Sequence, residues 1–194
     1  SFYYFLKKLT KLIFLQMNIA LFFNNLRGLE VYKTLKKNFT VDIYLSKKNL
    51  NEKLLQHFKN EKIFIIKKIN STIISNIKKK NYYLLITAGW PLIFPKKLFL
   101  SSLKGTINLH AGRVPAYRGG SPLNWQIINN EKKIGISVLK MTTKLDAGPI
   151  YTSKTFDLKK KYDILSVHRK VNKFFPKMVL ETLKKIKKNV IFFF

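Results

Sequence analysis

Cysteine is absent from this 194-residue chain, and acidic side chains number only nine against 38 lysines and arginines. Without thiols there is no disulfide, no thiolate nucleophile and no cysteine-based zinc site; such a chain suits a reducing compartment, and the expectation is cytoplasmic. Long uncharged apolar runs are missing as well. The first sixteen residues, SFYYFLKKLTKLIFLQ, are interrupted by Lys7, Lys8 and Lys11, so no stretch reaches the ~18 residues that an integral membrane span requires, and no small-residue cleavage site follows. Glycine-rich nucleotide loops are also missing. The first expected strand–helix junction reads Phe23-Asn24-Asn25-Leu26-Arg27-Gly28, with a single glycine where a dinucleotide fingerprint needs three, and no Walker loop is found. Nicotinamide redox chemistry and ATP-driven chemistry are therefore disfavoured.

The net charge of +29 ordinarily points to nucleic acid, an anionic membrane surface or a phosphorylated substrate. Here the lysines are spread along the chain, among abundant Asn, Ile, Phe and Tyr, the mixture that codon bias toward A and T produces. The excess is read as a solvated basic surface, because a polyanion footprint should gather on one face. A non-catalytic basic nucleic-acid-binding domain is the distant alternative. Its best support is Ile77-Lys78-Lys79-Lys80-Asn81-Tyr82-Tyr83, which interleaves cations with aromatics as such domains do, although Tyr83 is better explained as the entry to a strand.

At this length one domain is expected, and no repeat or linker divides the chain. The reading is an N-terminal extension over 1–16 and one functional domain over 17–194. Apolar runs predict strands at 18–23, 39–45, 63–66, 83–87, 105–109, 134–140 and 149–155. Helical spacing predicts helices at 25–37, 50–58, 72–79, 96–100, 122–129 and 163–185, with Pro122 suited to a first turn and Pro176 the expected point of a break. Strands alternating with helices give an α/β class with a mostly parallel sheet covered on both faces. His57 and His168 have no recognisable partners and are read as helix-surface residues.

Chemistry concentrates in residues 107–150, INLHAGRVPAYRGGSPLNWQIINNEKKIGISVLKMTTKLDAGPI. Asn108 and His110 are two residues apart, so on an extended strand end they point to the same side. An isolated acid, Asp146, follows 36 residues after His110. A neutral imidazole accepts a proton near pH 7 and a charged one donates. A carboxamide donates without titrating, as stabilisers of tetrahedral intermediates do, and an Asp beside the imidazole would fix its orientation. Together they make a candidate acyl-transfer site. On spacing alone the plainer reading, in which His110 closes a strand and Asp146 caps a turn, stays open.

The same residues resemble the core signature of the folate-dependent formyltransferases, which combine Asn-x-His, a following Pro, Tyr/Trp-Arg-Gly and, beyond a helix and a strand, Asp-x-Gly. This chain has Asn108, His110, Pro115, Tyr117-Arg118-Gly119 and Asp146-Ala147-Gly148 in that order. The resemblance implies a three-layer Rossmann-like formyltransferase fold, a one-carbon group transferase using 10-formyltetrahydrofolate as co-substrate, and no metal. It assigns catalysis to Asn108, His110 and Asp146. It places the pterin against Trp90, Pro91, Leu92 and Ile93 and against Thr142, Thr143, Lys144 and Leu145. Arg113, Tyr117 and Arg118 are the candidates for holding the acceptor, the arginines because a guanidinium grips phosphate bidentately. Pro122-Leu123-Asn124-Trp125 looks more like the amino-sugar N-formyltransferases than the Pro-Ile-Gln of the tRNA enzymes, and the sequence given ends where those enzymes continue into a small β-barrel. The expected acceptor is a nucleotide-linked amino sugar, with methionyl-tRNA as the alternative and glycinamide ribonucleotide disfavoured by the residues after Arg118. Two positions depart from the family: the loop Ser-Leu-Leu is Gly112-Arg113-Val114, and Gly120 stands where some sugar enzymes carry a substrate-binding arginine.

Overall fold

Strand β1, Asn18–Phe23, sets the architecture. Ile19, Leu21 and Phe23 face one core while Ala20 and Phe22 face another, as the period-two pleat requires. A strand buried on both faces belongs inside a sheet with a layer on each side. The computed structural model describes residues 17–159 and 162–188, so the extension expected over 1–16 and the end of the expected domain, 189–194, lie outside the described residues.

Around β1 lie β2 (Thr40–Ser46), β3 (Ile63–Ile66), β4 (Leu84–Ala88), β5 (Thr106–His110), β6 (Lys133–Lys140) and β7 (Ile150–Asp157). Their order in the sheet is β3-β2-β1-β4-β5-β6-β7. The first five run parallel, and β6 is antiparallel to both β5 and β7. The helices are α1 (Leu26–Leu35), α2 (Glu52–Leu55, running into a 3-10 turn at Gln56–Phe58), α3 (Ser71–Lys79), α4 (Lys96–Phe99), α5 (Pro122–Ile128) and α6 (Ile164–Lys187). Leu29 and Leu35 of α1 and Val171, Phe175 and Val179 of α6 close one face of the sheet. Ile77 of α3 and Leu98 of α4 close the other. The strand order reverses between β1 and β4, and in such sheets a crevice opens at the carboxyl ends of the strands on either side of that reversal.

Every expected element is present with its ends within two residues of the sequence reading. One expectation fails: α6 runs through Pro176 without a break. An interior proline removes one backbone hydrogen bond and costs ~3 kcal/mol or more. Around it Phe175, Met178 and Val179 are buried, and at ~1.5–3 kcal/mol for each apolar side chain their packing outweighs that loss. Among the described residues no helix is long and apolar enough to cross a membrane.

Candidate active site

Two strand ends and two loops meet at the crevice. β5 ends on His110, so Asn108 and His110 emerge on one side at the carboxyl edge of the sheet. Thr87 on β4 lies beside them in the parallel register and donates its hydroxyl to Asn108 Oδ1 at 2.9 Å. That bond fixes the amide orientation, leaving the Asn108 NH₂ to donate to Asp146 Oδ1 at 2.9 Å. The other carboxylate oxygen, Oδ2, accepts the Gly119 backbone N–H at 3.0 Å and lies 3.3 Å from His110 Nδ1. His110 Nε2 faces the Tyr117 carbonyl at 2.5 Å. Both ring nitrogens thus look at oxygens, one of the Asp146 carboxylate and one of the Tyr117 carbonyl. The side chains of His110 and Asp146 are only 5% and 8% exposed, which strengthens each of these contacts relative to water.

Asp146 adopts a left-handed backbone, φ 45°, a conformation that Asp tolerates better than most residues. Its carbonyl accepts from Arg118 Nε at 3.1 Å. The carboxylate is therefore held by a turn gripped from the Tyr117-Arg118-Gly119 segment, not by chance side-chain contact. A second glycine matters on the opposite wall. Gly89, at φ 65°, follows β4 where a Cβ would stand 1.9 Å from Asn25 Nδ2, and only glycine combines that angle with that approach.

Most of the residues expected at the site converge on one cleft of about 870 Å³, within the size range of small-molecule sites. Asn108, His110 and Asp146 line it together with Trp90, Pro91, Leu92, Ile93, Thr142, Thr143 and Leu145. Ile93 is 89% exposed and Leu145 72%, so two apolar side chains stand open at the mouth. Trp90 Nε1 is buried without an acceptor among the described residues.

Four expected contacts fall elsewhere. Lys144 is exposed and lies outside the cleft lining. Arg113 pairs with Glu131 at 2.8 Å and Tyr117 donates its hydroxyl to the same carboxylate at 2.6 Å, so both lie outside the cleft lining and pin the loop to the turn between α5 and β6. Arg118 is exposed and its Nε is committed to the Asp146 turn. A further correction concerns His168, read as a surface residue: it lines the cleft beside Arg27. Neither residue carries a local sequence signal for the site, because helical spacing does not tell which neighbour a helix will meet. Burial, then the Arg27 charge, holds His168 below its ordinary pKa, and burial pulls Arg27 down to about 10. Among the described residues no group of three or more His, Asp or Glu could hold a metal ion.

Residues 29–183 match the formyl transferase family model. A methionyl-tRNA formyltransferase from Caldanaerobacter subterraneus subsp. tengcongensis is 32% identical over 120 residues, covering 62% of this chain and 39% of that protein. The chain thus spans well under half the length of this relative. Among solved structures, a sugar N-formyltransferase from a Shewanella species superposes with a TM-score of 0.73 at 22% identity, over 88% of this chain and 69% of the other. HypX from Aquifex aeolicus, solved with tetrahydrofolic acid, gives 0.69 at 19% identity over 89% of this chain and 27% of its own. At such identities these likenesses establish the fold.

Proposed function

Because this chain belongs to the formyl transferase family, we propose that it moves a formyl group from 10-formyltetrahydrofolate to a primary amine, acting in the cytoplasm. The observation that carries this is the convergence of Asn108, His110 and Asp146 in the wall of a cleft, Asp146 accepting from Asn108 at 2.9 Å and lying 3.3 Å from His110. The donor site fits: exposed Ile93 and Leu145, the unpartnered Trp90 Nε1 and the polar backbone of two loops suit a flat heterocycle that both stacks and hydrogen-bonds. Tetrahydrofolate in the HypX structure supports the same ligand class. When bound, the co-substrate presents an activated formyl carbon whose oxygen gains negative charge as an amine adds to it.

The chain's residues answer that charge. Asn108 Nδ2 has a second hydrogen free of partners among the described residues, and it donates to the oxygen as an oxyanion-hole amide does. His110 supplies the second donor when its Nε2–H exchanges the Tyr117 carbonyl for the formyl oxygen. Asp146 Oδ2 keeps the imidazole oriented and takes up, through a water, the proton that the amine must lose. Thr87 and Gly119 hold these groups in place before substrate arrives, so reorganisation at the moment of reaction is small.

A nucleotide-linked amino sugar is the acceptor we favour, on the Pro122-Leu123-Asn124-Trp125 run, whose Asn124 lines the cleft. Methionyl-tRNA is the second reading, favoured by the names of the curated relatives. The test is a formyl-transfer assay with 10-formyltetrahydrofolate against a panel of nucleotide-linked 3-amino and 4-amino sugars and charged initiator tRNA. Asn108→Ala and His110→Ala should each lose ~10²–10³ in turnover with folding intact. Near-normal turnover in both variants would remove the assignment.

A further inference from the structure

Residues 111–121, between β5 and α5, form neither helix nor strand, yet they deliver two backbone groups to the reacting side chains. The Tyr117 carbonyl faces His110 Nε2 at 2.5 Å, and the Gly119 N–H donates to Asp146 Oδ2 at 3.0 Å. Irregular backbone keeps such positions only when groups outside it tie it down. Among the described residues two acid side chains bond to this segment, Asp146 at the cleft and Glu131 behind it. Glu131 Oε1 accepts the Tyr117 hydroxyl at 2.6 Å and an Arg113 Nη2 hydrogen at 2.8 Å, and bonds to an ionised group are roughly twice as strong as neutral ones. The acid is itself anchored, its backbone N–H donating to the Gln126 carbonyl at 3.0 Å. Asn129 Nδ2 adds a bond to the Tyr117 hydroxyl at 3.2 Å. Gly135 of β6 makes the room, because a Cβ there would stand 2.4 Å from Arg113 Cβ.

Tyr117 therefore works in two directions, its hydroxyl bonded to Glu131 and its carbonyl to the imidazole. Two residues on, the same segment holds the carboxylate that faces the other ring nitrogen. We propose that Glu131 is a positioning residue for formyl transfer: acting through Tyr117, it fixes the loop whose carbonyl and N–H set His110 and Asp146 before substrate arrives. Glu131 lies outside the cleft lining, so it reaches the reaction only through these contacts. Without it the Tyr117 ring keeps the Asn129 bond alone and Arg113 loses its counter-charge, which frees the carbonyl to drift from Nε2. The role rests on the formyl-transfer reading for what the aligned groups accomplish, whereas the alignment itself can be read without turnover.

The test follows the His110 Nε2–H resonance of the ¹⁵N-labelled chain alongside kinetics. Bonded to a carbonyl on a side chain only 5% exposed, that proton should be resolved in the wild type and exchange slowly with solvent. In Glu131→Ala it should exchange roughly tenfold or more faster, the effect of losing one bond to a charged group. There kcat should fall roughly tenfold to a hundredfold, toward the loss that a misplacement of about 1 Å brings, with KM for 10-formyltetrahydrofolate within about twofold. Glu131→Gln keeps an acceptor for the Tyr117 hydroxyl and should recover most of both readouts, while Tyr117→Phe should reproduce Glu131→Ala. The double variant Glu131→Ala/Tyr117→Phe should lose little more than Glu131→Ala, as residues acting through one another do. An unprotected Nε2–H in the wild type, unchanged exchange in Glu131→Ala, or fully additive losses in the double variant would overturn the role, even where Tm has dropped. Should Glu131→Ala fail to fold, Tyr117→Phe decides, and unchanged exchange there overturns it equally. Absence of formyl transfer to every amine tested would instead count against the reaction, with the exchange rates still deciding whether Glu131 holds the ring.

Discussion

Gly112 offers a sharp probe of how tightly the imidazole is seated. A Cβ at this position would stand 2.4 Å from the Tyr117 carbonyl oxygen, 2.5 Å from His110 Nε2 and 2.8 Å from Pro122 Cβ, where ordinary contact begins at 3.4 Å. Alanine therefore demands a retreat of about 1 Å from each of the first two atoms. The ring has little room to yield, because its opposite nitrogen lies 3.3 Å from Asp146 Oδ2 and that oxygen is held by the Gly119 N–H at 3.0 Å. Overpacking of this kind costs ~1–3 kcal/mol, a fall in Tm of roughly 2–12 °C for a chain of this size. Misplacing a catalytic group by about 1 Å costs on the order of 10²-fold in rate. Gly112→Ala should thus remain folded at 20 °C, bind 5-formyltetrahydrofolate within a few-fold of wild type, and lose on the order of 10² in kcat. Gly120→Ala is the stability control, since its Cβ would meet nothing within 4 Å and Tm should not move. If Gly112→Ala turns over within threefold of wild type, the seating of His110 against Tyr117 is not what positions the ring.

Gln126 is fully buried and both donates to the Gly135 carbonyl at 3.2 Å and accepts the Gly135 N–H at 2.7 Å. Gln126→Leu strands both backbone groups, and at ~1–3 kcal/mol for each unsatisfied group Tm should fall by at least 4 °C on thermal denaturation; an unchanged Tm would show that water replaces the amide. His168 is held below its ordinary pKa, first by burial and then by Arg27. Below about pH 6.5 the unfolded chain then binds more protons than the native one, so this residue's contribution to stability declines as pH falls until the native His168 also protonates. Urea unfolding from pH 7 to pH 5 should accordingly show a smaller acid loss in His168→Gln than in wild type, and parallel curves would rule the effect out. Asp146→Asn, which keeps the shape but not the charge, should bind the folate analogue normally and drop kcat by at least tenfold.

The layers were readable because β1 and β4 are apolar on both faces, a pattern that only a covered sheet accommodates. The Asn108–His110 pair was readable for the same reason at smaller scale: alternation along a strand puts them on one side. Arg27 and His168 were not, since their place in the cleft depends on α1 and α6 packing over the carboxyl end of the sheet, a contact between segments far apart in the chain. Arg113 and Tyr117 misled because a cation and an aromatic in a loop suit substrate as well as they suit Glu131, and the acid that claims them lies beyond a whole helix. Pro176 misled in the opposite sense: local backbone preference signals a break, and the apolar residues around it reverse that preference only once a sheet is there to receive them.

The approach of Gly89 to Asn25 joins two regions that chemistry keeps apart. Asn25 Oδ1 also accepts the Gly28 N–H at 3.3 Å, starting the helix that carries Arg27, while Gly89 leads directly into the Trp90 loop. A bulkier residue at position 89 would lever the cap off α1 and shift the Trp90 loop in the same motion, so the Arg27 and Trp90 ends of the cleft would move together. The two ends of the cleft share a single hinge pin, and that ties their alignment across Asn108 and His110 to one small carboxamide.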